Sequence, residues 1–122
     1  MNSKVRIIIG WVLSGALGLL FIYAAYGKLV QTPESLKIAD GMGLNPQSYM
    51  ILGIVELSAM ILFLIPRTGI LGTLLLTAYI GGAIATHLEH GQPIMAACGF
   101  MAILWIAAVM RFPELTVRIA KR

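Results

Sequence analysis

Four long stretches of this chain carry almost no charge, and they leave little room for any fold other than helices in a lipid bilayer. The first, Ile7 to Gly27, has no charged side chain and is about as long as the roughly 20 residues a helix needs to cross the hydrocarbon core. The second, Tyr49 to Ile65, is broken only by Glu56. The third runs from Gly69 to Thr86 and the fourth from Ile94 to Met110. Strands are excluded as single spanning elements because a lipid-exposed edge leaves backbone groups unpaired, and no repeated alternation points to a barrel. The expected fold class is therefore all-α, a four-transmembrane-helix antiparallel bundle. Residues 1–122 form one transmembrane domain, with spans near 7–27, 49–65, 69–86 and 94–110. Composition agrees: 59% of residues are hydrophobic and 11% charged, against roughly a quarter charged in a soluble domain. Too few charges remain to cover a water-facing surface.

Between the first two runs, Lys28, Pro33, Glu34, Lys37, Asp40, Gly41, Gly43, Asn45 and Pro46 make a polar, breaker-rich connection, with a short interfacial helix expected at 34–40. Pro66-Arg67-Thr68-Gly69 is a tight turn, which implies antiparallel neighbours. His87 to Pro93 forms a second polar cap. Beyond Arg111, Pro113 and Glu114, a basic tail with Arg118, Lys121 and Arg122 is suited to lie along the membrane surface. The basic start and apolar first run also describe a secretory signal peptide. The run exceeds a typical signal core, however, and carries Trp11, Tyr23 and Tyr26 near its ends, so it is read as a retained span. Lys4, Arg6, Arg67, Arg111, Arg118, Lys121 and Arg122 fall on one side of the spans and only Lys28 and Lys37 on the other. The positive-inside rule then puts both termini in the cytoplasm of a multi-pass protein of the cell (inner) membrane. A net charge of +4 invites a nucleic-acid reading, but the basic residues flank apolar runs and form no basic arm; the expected partner is the lipid bilayer and not nucleic acid. Ala78, Gly82 and Thr86, or Gly81 and Ala85, are expected to let helix backbones approach closely within the chain.

Glu56 is the most informative residue. A charge at mid-span costs roughly 2.5–3.5 kcal/mol on insertion scales, so Glu56 is expected to face the interior, paired or protonated. Its natural partner is Lys28, whose long side chain reaches down from the outer end of the first span. Such a pair either fixes helix packing or makes a protonatable site in a cavity open to water or quinone. His87 and Tyr79 lie two turns apart on one helical face and suit a quinone carbonyl or a thiol-derived substrate, or else simple hydration at the interface. Lys28, Glu56 and His87 are thus the candidates for a proton relay, and Tyr79 and Tyr26 the candidate binding residues. His87, Glu89 and His90 lack a recognised zinc spacing, and no metal is expected. Cys98, the lone cysteine, is expected to pack as a small apolar residue, and the seven methionines are expected to fill core. The cytoplasmic half is expected to be mainly apolar packing. Phosphate loops and hydrolase or kinase motifs are missing from the sequence, so no self-contained catalytic motif supports a soluble-enzyme reading.

Gly27-Lys28-Leu29, Gly53-Ile54-Val55-Glu56-Leu57, Pro66-Arg67-Thr68-Gly69 and Gly81-Gly82-Ala83-Ile84-Ala85-Thr86-His87-Leu88, in this order on four spans, resemble the DoxX-like family of small four-helix membrane proteins. The resemblance implies Lys28, Glu56 and His87, with Arg67 in the turn, as the characteristic polar positions. Its wider relatives include membrane subunits linked to sulfur oxidation and quinone reduction. It therefore implies an oxidoreductase subunit with a quinone as cofactor and a soluble or membrane redox partner. A single cysteine departs from what independent dithiol chemistry requires. Two other readings stand beside this one: a small proton-coupled transporter working through Glu56, and a non-catalytic membrane anchor or interaction subunit.

Overall fold

The computed structural model of the chain describes residues 2–120, which are helical apart from short connections. Lys121 and Arg122, counted above in the charge bias and the basic tail, lie outside the described residues. Helix α1 (Ser3–Val30) opens on Asn2, whose side chain accepts the Lys4 amide, and ends where Gln31 turns left-handed at φ 58°. Helices α2 (Pro33–Gly41) and α3 (Pro46–Leu64) each begin with a proline, whose missing amide costs nothing in a first turn. The side chains of Thr32 and Asn45 cap them. A single 3-10 turn at Pro66–Thr68 leads into α4 (Gly69–Glu89), followed by α5 (Met95–Arg111) and α6 (Pro113–Ala120). Pro113 cannot continue the α5 ladder, and α6 leaves it at 105°.

Three helices are long and apolar enough to cross a membrane: α1, α3, and α4 taken with its leading turn; α5 with α6 makes a fourth candidate. Helix α1 packs against α3 and α5, and α4 packs against the same two. The outward faces are apolar, with Val12 65% and Leu19 77% exposed, a surface that water would not tolerate and lipid does. Buried between the long helices are Leu17, Met60, Phe63, Leu76 and Leu104, and Phe21 meets Phe100 edge to face at 5.6 Å.

The two ends of the molecule differ. At one, here the turn end, lie the start of α1, the 3-10 turn and the α5–α6 corner, joined by a hydrogen bond from Arg6 Nη2 to the Val109 carbonyl. Helices α3 and α4 are tightest here, since a Cβ on Gly72 would run into the Phe63 backbone. At the other, the α2 end, Gln92 donates to the Gly41 carbonyl and Gln31 to that of Pro46. Gly43, at φ +72°, turns the chain there directly beneath the His90 ring.

Three expectations from the sequence need correction. Gly81 and Gly82 have no atom within 4 Å of where a Cβ would sit, so these two glycines of α4 do not mediate close helix packing. Close approach occurs instead at Gly10, Gly53, Gly69 and Gly72. Cys98 is exposed on the outer surface of α5 instead of packed. The turn end is also not plainly apolar: Arg111 is 7% exposed and holds its guanidinium 3.9 Å from the Trp11 ring centre and 4.8 Å from those of Phe63 and Phe112. Its Nη1 donates to the Ser14 hydroxyl. Aromatic faces attract a guanidinium electrostatically, which is how a cation is accommodated here without a carboxylate partner among the described residues.

Candidate functional site

Glu56 lies on the inward face of α3, where the helical period sets it beside the buried residues Gly53, Ala59 and Met60. Its side chain is 4% exposed, and Lys28 Nζ reaches it from the last turns of α1, 2.9 Å from Oε1. Close packing of α1 on α3 makes this reach possible: Gly53 lies under the Lys28 stem, where any Cβ would collide with it. From α4, the Tyr79 hydroxyl donates to the same Oε1 at 3.1 Å. One carboxylate oxygen thus collects a donor from each of two neighbouring helices, while Oε2 takes no hydrogen bond from the described residues. Lys28 Nζ also stands 5.5 Å from the centre of the buried Tyr49 ring.

Lys28, Glu56 and Tyr79 border a cavity of about 910 Å³ in the half of the molecule nearer the α2 end. On its α4 side the wall is the small face Ala78, Gly82, Ala83 and Thr86, and nothing lies within 4 Å of where a Gly82 Cβ would sit. Leu20, Phe21, Val55, Ile80 and Phe100 complete a largely apolar lining. Several lining residues, among them Leu20 (53%) and Ile54 (51%), are also exposed on the outer surface, so the cavity communicates with whatever surrounds the helices. Its volume lies in the range of about 300–1,000 Å³ usual for small-molecule sites, and its few convergent polar groups are the usual companion feature.

His87 stands on the cavity wall one turn beyond Ala83. Its Nδ1 is 2.7 Å from the Ala83 carbonyl oxygen, a partner that can only accept. The ring proton of the neutral form therefore sits on Nδ1, and Nε2 presents a lone pair. Lys28, Glu56, Tyr79 and His87 are brought together around one space. Tyr26, 61% exposed, does not border this cavity; with Lys28 and His87 it lines an adjoining vestibule beneath α2. His90 Nδ1 is held by the Thr86 carbonyl, and no three His, Cys, Asp or Glu side chains gather as a metal site among the described residues. Tyr49 is the site residue that sequence reasoning passed over. It sits at the start of an apolar run, where a tyrosine reads as an interfacial ring, although the period Tyr49, Gly53, Glu56 carried the signal.

No curated protein and no solved structure matches the chain. A family model described as the DoxX-like family matches residues 12–111, from the third turn of α1 to the end of α5, and so takes in Lys28, Glu56, Tyr79 and His87. With most of its length covered by that match, the chain belongs to the DoxX-like family of proteins.

Proposed function

We propose that the protein binds a lipid-soluble quinone in the cavity beside Glu56, as the membrane component of a quinone- or thiol-linked redox system. In this reading α1, α3, α4 and α5 cross the membrane as an antiparallel four-helix bundle. Both termini lie in the cytoplasm and the α2 end faces away from it, the orientation favoured by the Lys and Arg distribution. The observation that carries the proposal is the cluster of Lys28, Glu56 and Tyr79 on the wall of an otherwise apolar cavity that reaches the lipid-facing surface. The fit is chemical. Apolar walls suit a ring and its hydrocarbon tail, the Lys28 ammonium can donate to a ring carbonyl, and Glu56 Oε2 and His87 Nε2 can accept from a ring hydroxyl. A quinone bound there would supply two-electron redox chemistry; the chain's own residues would orient the ring and hold or pass its protons.

Thiol chemistry, if the system uses it, belongs to a soluble or membrane partner, because Cys98 is alone and faces outward. Transport through the bundle is the weaker reading. Below the cavity, Leu17, Met60, Phe63 and Leu76 are packed at 2% exposure or less and leave no path onward. Purification in mild detergent, followed by mass spectrometry of co-purifying lipids and a titration with short-chain ubiquinone and menaquinone analogues, tests the proposal. Retained or bound quinone is expected. Glu56→Gln and Lys28→Met should each weaken it by about 10- to 100-fold, the worth of one hydrogen bond to a charged group. A chain that neither retains nor binds a quinone would end this reading.

A further inference from the structure

A second cavity, of about 640 Å³, lies beneath α2 and shares Ala24, Lys28, Met42 and His87 with the first. The two spaces differ in chemistry. The larger is walled by aliphatic and aromatic carbon, whereas the smaller is bordered by the hydroxyls of Thr32, Ser35 and Tyr49 and the carboxylate of Glu34. Lys28 stands between them. Its side chain is 13% exposed against 4% for Glu56, so the ammonium is the more open half of the pair. The smaller space has room for several waters, and the Lys28 ammonium, the Glu34 carboxylate and the Tyr49 hydroxyl on its border offer them polar partners.

We infer that the Lys28–Glu56 pair is entered from two sides: an apolar ligand reaches it through the lipid-facing cavity, and water reaches it through the vestibule beneath α2. The vestibule is then the route by which the pair exchanges protons with the aqueous phase on the α2 side, without that water passing through the space where the ligand sits. The step is acid–base only. A ligand hydroxyl gives its proton to Glu56 as that O–H bond breaks and a new one forms on the carboxylate. The Lys28 ammonium releases a proton to vestibule water and recovers one from Glu56, which restores the pair. The role of this proton traffic rests on the ligand reading above, whereas the aqueous route itself rests only on the two cavities.

The test uses the full chain in cells or sealed vesicles, with Cys98→Ala as background so that each introduced thiol is alone. Ser35→Cys lies in the vestibule only, Ala24→Cys where the two spaces meet, and Ala83→Cys, half-buried on the α4 wall, in the larger cavity only. A charged, membrane-impermeant methanethiosulfonate is applied from the α2 side. Ser35→Cys and Ala24→Cys are expected to label at rates within about tenfold of each other, and Ala83→Cys about a hundredfold more slowly, since a charged reagent is strongly excluded from apolar surroundings. Adding Ser35→Phe to Ala24→Cys plugs the vestibule and should slow its labelling at least about tenfold, by the same exclusion. Elution of every variant as a single symmetrical peak in detergent shows that it folds. The inference is overturned if Ala24→Cys labels as slowly as Ala83→Cys, or if Ala83→Cys labels as fast as Ala24→Cys, which would make the larger cavity itself aqueous. Labelling needs no bound quinone, so loss of quinone binding with labelling intact would remove the ligand reading and leave the aqueous route standing.

Discussion

Removing the Lys28 ammonium while keeping the Glu56 carboxylate would leave an acid with a 4% exposed side chain facing only the Tyr79 phenol. Breaking a buried pair from one side typically costs about 3–5 kcal/mol, whereas replacing both partners by apolar side chains of similar volume is often neutral. Lys28→Met alone should therefore lower thermal stability in detergent substantially, and Lys28→Met with Glu56→Met should restore most of it. A double variant as unstable as the single one would mean that Lys28 contributes through its packing on Gly53 and not through its charge. The cluster itself was largely legible in the sequence, because a charge inside an apolar run has few ways to be accommodated and must look for a partner. Arg111 was not. At the end of a run an arginine reads as a topology signal, and only the α5–α6 corner, which brings Phe112 and Trp11 around its guanidinium, turns it into a buried residue.

At the scale of elements, glycines that look alike in the sequence behave in opposite ways. Gly72 and Gly82 both lie on α4 within apolar surroundings, yet one abuts the Phe63 backbone and the other borders empty space. Gly72→Ala should force α3 and α4 apart and cost about 1–3 kcal/mol as an overpacked contact. Gly82→Ala should be neutral or raise stability by up to about 1 kcal/mol, through better helix propensity. Thermal unfolding of the two variants side by side checks this, and equal losses would contradict the close α3–α4 contact at Gly72. Composition alone could not tell these positions apart. Small residues at intervals of four allow close approach without requiring it, and the neighbour's crossing angle decides which of them is used. Helix α1, with 28 residues, rises about 42 Å, more than a bilayer core of about 30 Å requires. Its surplus is the segment that carries Lys28 past the apolar run and over α3.

For the molecule as a whole, the proposed orientation makes a direct prediction. Fusions of a fluorescent protein that matures only in the cytoplasm should glow at either terminus, and a cysteine placed at Asp40 in the Cys98→Ala chain should label from outside intact cells. A dark fusion at one end would change the number of crossings, and a dark pair with an unlabelled α2 would invert the protein. The helical class and its apolar segments were readable because lipid permits few backbone solutions. How α5 ends was harder to read, since its 17 residues are short for a span and the 105° corner after it depends on one proline. The ion pair also bears on how the chain is made. Synthesis delivers α1 before α3, so Lys28 is already at the membrane when Glu56 emerges. A mid-span carboxylate entering lipid alone faces a penalty of roughly 2.5–3.5 kcal/mol, and a waiting ammonium lowers it. The contact that organises the cavity would in this way make membrane insertion of the second long helix conditional on the first, so that biogenesis proceeds by helical pairs instead of one crossing at a time.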